Sequence, residues 1–185
     1  MAIKFLMELF DLVDINDKVI GTTDKQTAHA NGDIHRIVAV FLFDKNGDLY
    51  VQEHIKSGNI LDHSVGGHVT KGESYDKAAK REAKEELGLS TPLSKVSVFY
   101  SDETLSGVNI RHFIGLYECR APKNWVFKEN EEVKHIYPMK VEEIVKEINT
   151  NPKNFTGGFK NTMYEFIKRK NLPLKLKNYN LGRKD

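Results

Sequence analysis

The sequence predicts a layered α/β (α+β) domain, and three observations carry that prediction. β-Branched and aromatic runs, RIVAVFLF (36–43), KVSVFY (95–100) and RHFIGLYEC (111–119), read as strands. VEEIVKEI (141–148) and FKNTMYEFIKRK (159–170) place apolar residues at helical spacing. Turn residues separate these segments, and mixed strands with a few helices pack as layers around a core. A length of 185 residues suits one domain, residues 1–185, with 1–30 as an N-terminal strand extension and 151–185 as a C-terminal helix and basic tail.

Each element has a local reason. Residues 5–13 alternate loosely and run into DINDKVIG, which reads as strand, turn, strand. RIVAVFLF ends at Asp44, Asn46 and Gly47, and LYVQEHI (49–55) follows, so the two read as a hairpin with Asn46-Gly47 as its turn. Residues 74–87 have helix-forming composition and stop at Gly88, a C-terminal cap.

Bulk properties exclude several classes. The 28 basic and 26 acidic residues leave a net charge of +2, which gives no reason to expect a nucleic-acid or membrane partner. The tail KLKNYNLGRKD is locally basic and reads as solvated. Cys119 is the sole cysteine, so an intramolecular disulfide and a multi-cysteine zinc site are both excluded. The start, MAIKFLMELFDLVD, is interrupted by Lys4, Glu8 and Asp11 and lacks the pattern of a signal peptide. No apolar run is long enough to span a bilayer, and the expected compartment is the cytoplasm. The oligomeric state stays open, a homodimer among the options.

The segment GGHVTKGESYDKAAKREAKEELGL (66–89) holds the chemistry. On a helix, Glu82, Glu85 and Glu86 fall within about 100° of arc. Like charges at these spacings repel by a few tenths of a kcal/mol per pair, and the C-terminal end of the helix dipole disfavours them further. A hard divalent cation, Mg²⁺ or Mn²⁺, would offset both penalties. A bare E-x-x-E-E is more often a solvated face, relieved here by Lys80 and Lys84. The surroundings change that balance. From Gly67 the chain fills every position of G-x5-E-x7-R-E-U-x-E-E-x-G-U, with U apolar: Glu73, Arg81, Glu82, Glu85, Glu86, Gly88 and the apolar Ala83 and Leu89.

This segment resembles the Nudix hydrolase box. The resemblance implies a Nudix-type α/β/α sandwich with a mixed central sheet and a metal-dependent enzyme that cleaves the diphosphate of a nucleoside diphosphate linked to some moiety X. It implies Glu82, Glu85 and Glu86 as metal ligands and catalytic groups, joined by a carbonyl at Gly66. Gly67, Glu73 and Arg81 would brace the loop against the helix. The general base in such enzymes is often a glutamate of the box helix or of a later loop; ENEE (129–132) lies where such a loop glutamate often sits, with Glu131 and Glu132 as candidates and Glu132 chosen. Ala78, Ala79 and Ala83 give the helix a small-residue face that suits close approach to a sheet.

Further stretches, ELFDLVDINDKVIGT, HANGDIHR, VFLFDKNGDLYVQ and LDHSVGGHVTKGES, resemble the branch that contains isopentenyl-diphosphate isomerase and its hydrolase-like relatives. Those isomerases hold a second metal through histidines and two later glutamates, and use a cysteine in an S-V-C-G-H segment. His29, His35 and His68 match the histidines, but the cysteine position is Gly66 and SGVNIRHF offers no Glu-x-Glu. Glycine moves no proton, so hydrolysis is favoured over isomerisation, with a non-catalytic binding module as a further alternative. His35, Arg36, Lys56 and His68 are assigned to substrate binding. Gln52 and His54 stand near Lys56 in a polar strand end, and Trp125 and Phe127 are open to base stacking or core packing.

Overall fold

The computed structural model describes residues 8–54, 60–105, 108–130 and 133–177. In chain order the elements are β1 (Leu9–Val13), β2 (Val19–Asp24), α1 (Lys25–Asn31), β3 (His35–Phe43), β4 (Leu49–His54), β5 (Leu61–Asp62), β6 (Val65–His68), α2 (Tyr75–Leu87), β7 (Ser94–Leu105), β8 (Val108–Arg120), β9 (Val133–Met139), α3 (Val141–Thr150) and α4 (Gly157–Lys170). The strands form one mixed sheet between helices, the expected α/β/α sandwich. Among the described residues no helix is long and apolar enough to cross a membrane.

Strand β3 organises the sheet because it is apolar on both faces. Val38, Val40 and Leu42 pack with Ala78, Ala79, Ala83 and Leu87 of α2. Ala39 and Phe41 pack the other way, with Ile144 of α3 and Phe159, Met163 and Phe166 of α4. Such two-sided burial is what a near-continuous apolar run signals. β3 pairs antiparallel with β6 (Ile37↔His68, Val38↔Gly67, Ala39↔Gly66) and parallel with β8 (His35↔His112 through Phe43↔Arg120).

Helix α2 is closed at both ends by its own sequence. Ser74 accepts from the Lys77 amide, and at the other end Gly88, at φ 64°, donates to the Lys84 carbonyl while the Leu89 amide donates to that of Ala83. Trp125 Nε1 donates to Leu87 O at 3.1 Å and Asn130 Nδ2 to Glu86 O at 2.7 Å, so a later loop takes up carbonyls the helix leaves over.

Three expectations change. The hairpin turn lies at Asn46-Gly47, with Gly47 at φ 92°, yet β3 and β4 pair only at Phe43↔Leu49. The strands then part, β3 toward β6 and β8, β4 toward β5 and β9. The first thirty residues hold α1 as well as strands; Asp24 caps it by accepting from the Thr27 amide, and Gly32 ends it at φ 67°. Gly66 and Gly67, expected as loop, lie in β6.

Candidate functional site

A cleft of about 770 Å³ opens beside β6. Gly66, Gly67 and His68 line one wall, and Thr156, Gly157 and Gly158 at the start of α4 line another. Gln52 of β4 reaches it through the gap where β3 and β4 part.

The glutamates stand on α2, on the far side of β6 from this cleft, and meet it through Gly66, Gly67 and Gln52. Glu82 and Glu86 are buried and Glu85 is exposed. The Glu82 carboxyl lies directly over Gly67: a Cβ on that glycine would sit 2.0 Å from Glu82 Cδ. Glu86 accepts from Gln52 Nε2 at 3.2 Å and from the Gly66 amide at 3.3 Å. Two donors from two strands thus aim Glu86 at the sheet.

Arg81 does more than brace the loop. Its Nε and Nη2 donate to Glu73 at 3.2 and 2.9 Å, a fork that fits a carboxylate. Nη2 also donates to His68 O at 2.9 Å, while Nη1 reaches Glu82 at 2.8 Å and Glu85 at 3.1 Å. The guanidinium therefore relieves the acidic turn that Lys80 and Lys84 were expected to relieve. Burial pushes Glu73 up, but the bonds from Arg81 and Thr70 outweigh it and hold the carboxyl below its ordinary range. For Glu82 the balance runs the other way: burial lifts its carboxyl to about 7 in spite of Arg81. Oxygen donors on one face, one of them desolvated and seated on a glycine that leaves it room, fit a hard divalent cation.

A second constellation lies on the opposite face of β3 and β6. His29, His35, His68 and His112 each offer one nitrogen, and these atoms all lie within 4.8 Å of one another. The His35 and His112 Nε2 atoms are 3.1 Å apart, and the His35 and His68 rings stack at 5.3 Å and 4°. Phe10 forms a shelf under His68, centroid to centroid 4.6 Å. Burial lowers the pKa of His35 to about 4 and of His68 to about 3, and drives His112 down as well.

The sequence-predicted residues distribute unevenly. His68 lines the cleft, and His35 is fully buried behind it. Arg36, expected to face the diphosphate beside His35, points to the other face because strand neighbours alternate. There its Nε donates to Asp17 at 2.6 Å and its guanidinium covers the Tyr75 ring at 5.6 Å. Gly66 has room for a side chain; the nearest atom to an added Cβ is His63 Nδ1 at 3.6 Å. Trp125 packs edge-on to Tyr50 at 5.2 Å and, with Phe127, against the α2-side core. Burial in that core pushes the Cys119 thiol up to about 12. Lys56, Glu131 and Glu132 lie outside the described residues.

Other cleft residues escaped sequence reasoning. Glu103 of β7 lies against Gly157, where a Cβ would meet its Oε2 at 1.4 Å, and burial raises its pKa. His63 is held between Asp62 (2.7 Å) and Thr162 (2.9 Å). Lys25, Lys153 and Lys160 bring positive charge to the rim. None belongs to a local motif; only the sheet order and the α4 packing assemble them.

With this fold and a complete glutamate box on α2, the chain belongs to the Nudix family: the NUDIX domain pattern matches residues 33–163. The chain is 31% identical to an isopentenyl-diphosphate Delta-isomerase of Serratia proteamaculans, over 82% of this chain and 87% of that one. It is 34% identical to a Nudix hydrolase of Deinococcus radiodurans, over 67% of this chain and 74% of that one. A crystal structure of a Deinococcus radiodurans protein superposes with a TM-score of 0.63 at 29% identity, covering 78% of this chain and 90% of that one.

Proposed function

We propose that this chain is a divalent-metal-dependent hydrolase of a diphosphate linkage, acting on a nucleoside diphosphate–X compound or a related small molecule. The observation that carries the proposal is the seating of Glu82 and Glu86 on Gly67 and Gly66, two glycines whose strand also lines a cleft large enough for such a substrate. Glu82, Glu85 and Glu86 would hold Mg²⁺ or Mn²⁺. When bound, that ion supplies polarisation of phosphoryl oxygens and a more acidic water. The chain's own residues do the rest. Gln52 and the Gly66 amide fix the direction of Glu86, and Arg81 fixes Glu82 and Glu85. Lys153 and Lys160 at the rim offset phosphate charge. Glu103 and His63 are the groups in the described cleft suited to take a proton, beside Glu132 from the later loop. A reducing, cytoplasmic setting belongs to the same proposal.

The likeness to isomerases favours one second reading, isomerisation of an isoprenoid diphosphate. Two features weigh against it: Gly66 stands where the isomerase thiol is expected, and Cys119 is locked in the core facing α2. One experiment separates the readings. The protein is incubated with Mg²⁺ and a panel of nucleotide sugars, ADP-ribose, nucleoside di- and triphosphates, and isopentenyl diphosphate in heavy water. Release of phosphate or nucleotide, lost in Glu86→Gln, is the expected result. Deuterium entering isopentenyl diphosphate with no hydrolysis anywhere in the panel would establish the isomerase instead.

A further inference from the structure

We infer that the β1–β2 hairpin is a positioning element for the glutamate box, with Asp11 and Asp17 as the residues that set the aim of Glu82 and Glu85. The inference rests on the reading of those glutamates as metal ligands. It goes beyond the family pattern, whose match begins at residue 33, after the hairpin has ended.

Hairpin and box meet at the turn that carries Glu73. Thr70 O accepts from the Glu73 amide at 2.9 Å, and Gly72 takes the third position of the turn at φ 74°. A Cβ there would meet nothing within 4 Å, so glycine serves the backbone conformation and not space. A turn of this kind satisfies neither of its two central amides from within. The hairpin satisfies both. Lys71 N donates to Leu9 O at 2.8 Å and Gly72 N donates to Asp11 Oδ2 at 3.0 Å, while Phe10 bridges to Thr70 beside them.

A second tether holds the helix itself. Tyr75, the first residue of α2, donates its hydroxyl to Asp17 Oδ2 at 2.9 Å. Arg36 joins the two tethers, with Nε 2.6 Å from Asp17 Oδ1 and Nη1 3.8 Å from Asp11 Oδ2. Asp17 is held at φ 61°, a conformation uncommon outside glycine, and its carbonyl also accepts from Arg36. Asp11 is 8% exposed, and a carboxylate so buried stays where its partners are.

From the turn the path to the metal carboxylates is short. Glu73 accepts from Thr70 N and Oγ1 and from the fork of Arg81, and Arg81 in turn holds Glu82 and Glu85. Every link involves a charged group and lies between 2.8 and 3.2 Å. A turn that loses Asp11 therefore shifts Glu73, and with it the guanidinium that aims the ligands.

The test needs no substrate. Mn²⁺ is titrated into the full-length protein and the free ion is followed by electron paramagnetic resonance, with Tm measured alongside. The ion that Glu86→Gln fails to bind is the box ion, and its affinity is compared across variants. Asp11→Ala should weaken it about 10-fold, the low end for losing an outer partner of a metal ligand. Asp11→Asn keeps an oxygen for the Gly72 amide but loses the charge facing Arg36. It should bring affinity back to within about threefold of the parent while Tm stays lowered. Should Asp11→Ala not fold, Tyr75→Phe decides: it removes one hydroxyl and should weaken Mn²⁺ binding roughly threefold. Parental affinity in the folded hairpin variants, or affinity that merely tracks Tm across the series, would overturn the inference and leave the hydrolase reading standing. No ion bound by the parent, or the same ion bound by Glu86→Gln, would overturn that reading and the inference with it.

Discussion

The two faces of β3 and β6 carry different chemistry within a few ångströms. Toward α2 stand Gly67, Arg36 and the carboxylates of Glu82 and Glu86, a charged set in which Arg81 holds Glu82, and Asp17 holds Arg36. Toward α4 stand Gly66, His35, His68 and His112, a set of neutral rings organised by stacking and burial. Adjacent residues on one strand therefore obey opposite rules. Gly67 is required for space, since Glu82 occupies the volume a side chain would take, and Gly66 is not, since its face is open.

Substitutions ordered by expected effect test that contrast. Glu86→Gln keeps the volume and removes the charge, so the fold should hold while Mg²⁺-dependent turnover falls on the order of 10³-fold, about 4 kcal/mol of barrier. Steady-state kinetics on a hydrolysed panel compound measure this; parental turnover would remove Glu86 from the metal site.

Gly67→Ala should come next. Its Cβ would press on Glu82 Cδ and Oε1 at 2.0 and 2.1 Å, so the carboxylate must swing off the strand. A fall in kcat of roughly 100-fold is expected, about 2.7 kcal/mol, with a well-folded protein by circular dichroism. Full activity would mean that the seat of Glu82 is immaterial.

Glu73→Ala acts on the support rather than the carboxylates. It removes a charge-assisted fork from a half-buried Arg81, so about 1–2 kcal/mol and a fall in Tm of roughly 2–8 °C are expected. Glu73 is more acidic in the fold than its usual 4.5, so the pair stabilises above that pH and its contribution fades as pH falls below it. The Tm difference between parent and variant should shrink accordingly in acid; a difference independent of pH would assign the loss to packing.

Gly66→Ala should do least. With 3.6 Å to the nearest atom, stability should stay within about 0.5 kcal/mol of the parent in a urea titration. A loss as large as that of Gly67→Ala would erase the distinction between the faces.

How much of this was legible follows from how each part is encoded. The glutamate box is one contiguous segment on one helix with its own caps, so spacing alone revealed it. The histidine cluster draws on residues 29, 35, 68 and 112, and His112 joins only because β8 lies parallel to β3 in register with His35. Strand order of that kind leaves no local signature. β6 was hidden for a different reason, since two glycines in four residues mask a strand that the sheet imposes. Arg36 went astray through the same alternation that places His35 correctly, because a one-residue step reverses the face.

The loop that crosses the end of α2 has one more consequence. Trp125 is the chain's sole tryptophan, and its indole is tied to Leu87 O, one residue beyond Glu86. The molecule thus contains a single tryptophan, excitable apart from its seven tyrosines, fastened to the end of the helix that bears the glutamates. Its emission is a built-in optical gauge of that helix end, readable without label or substrate.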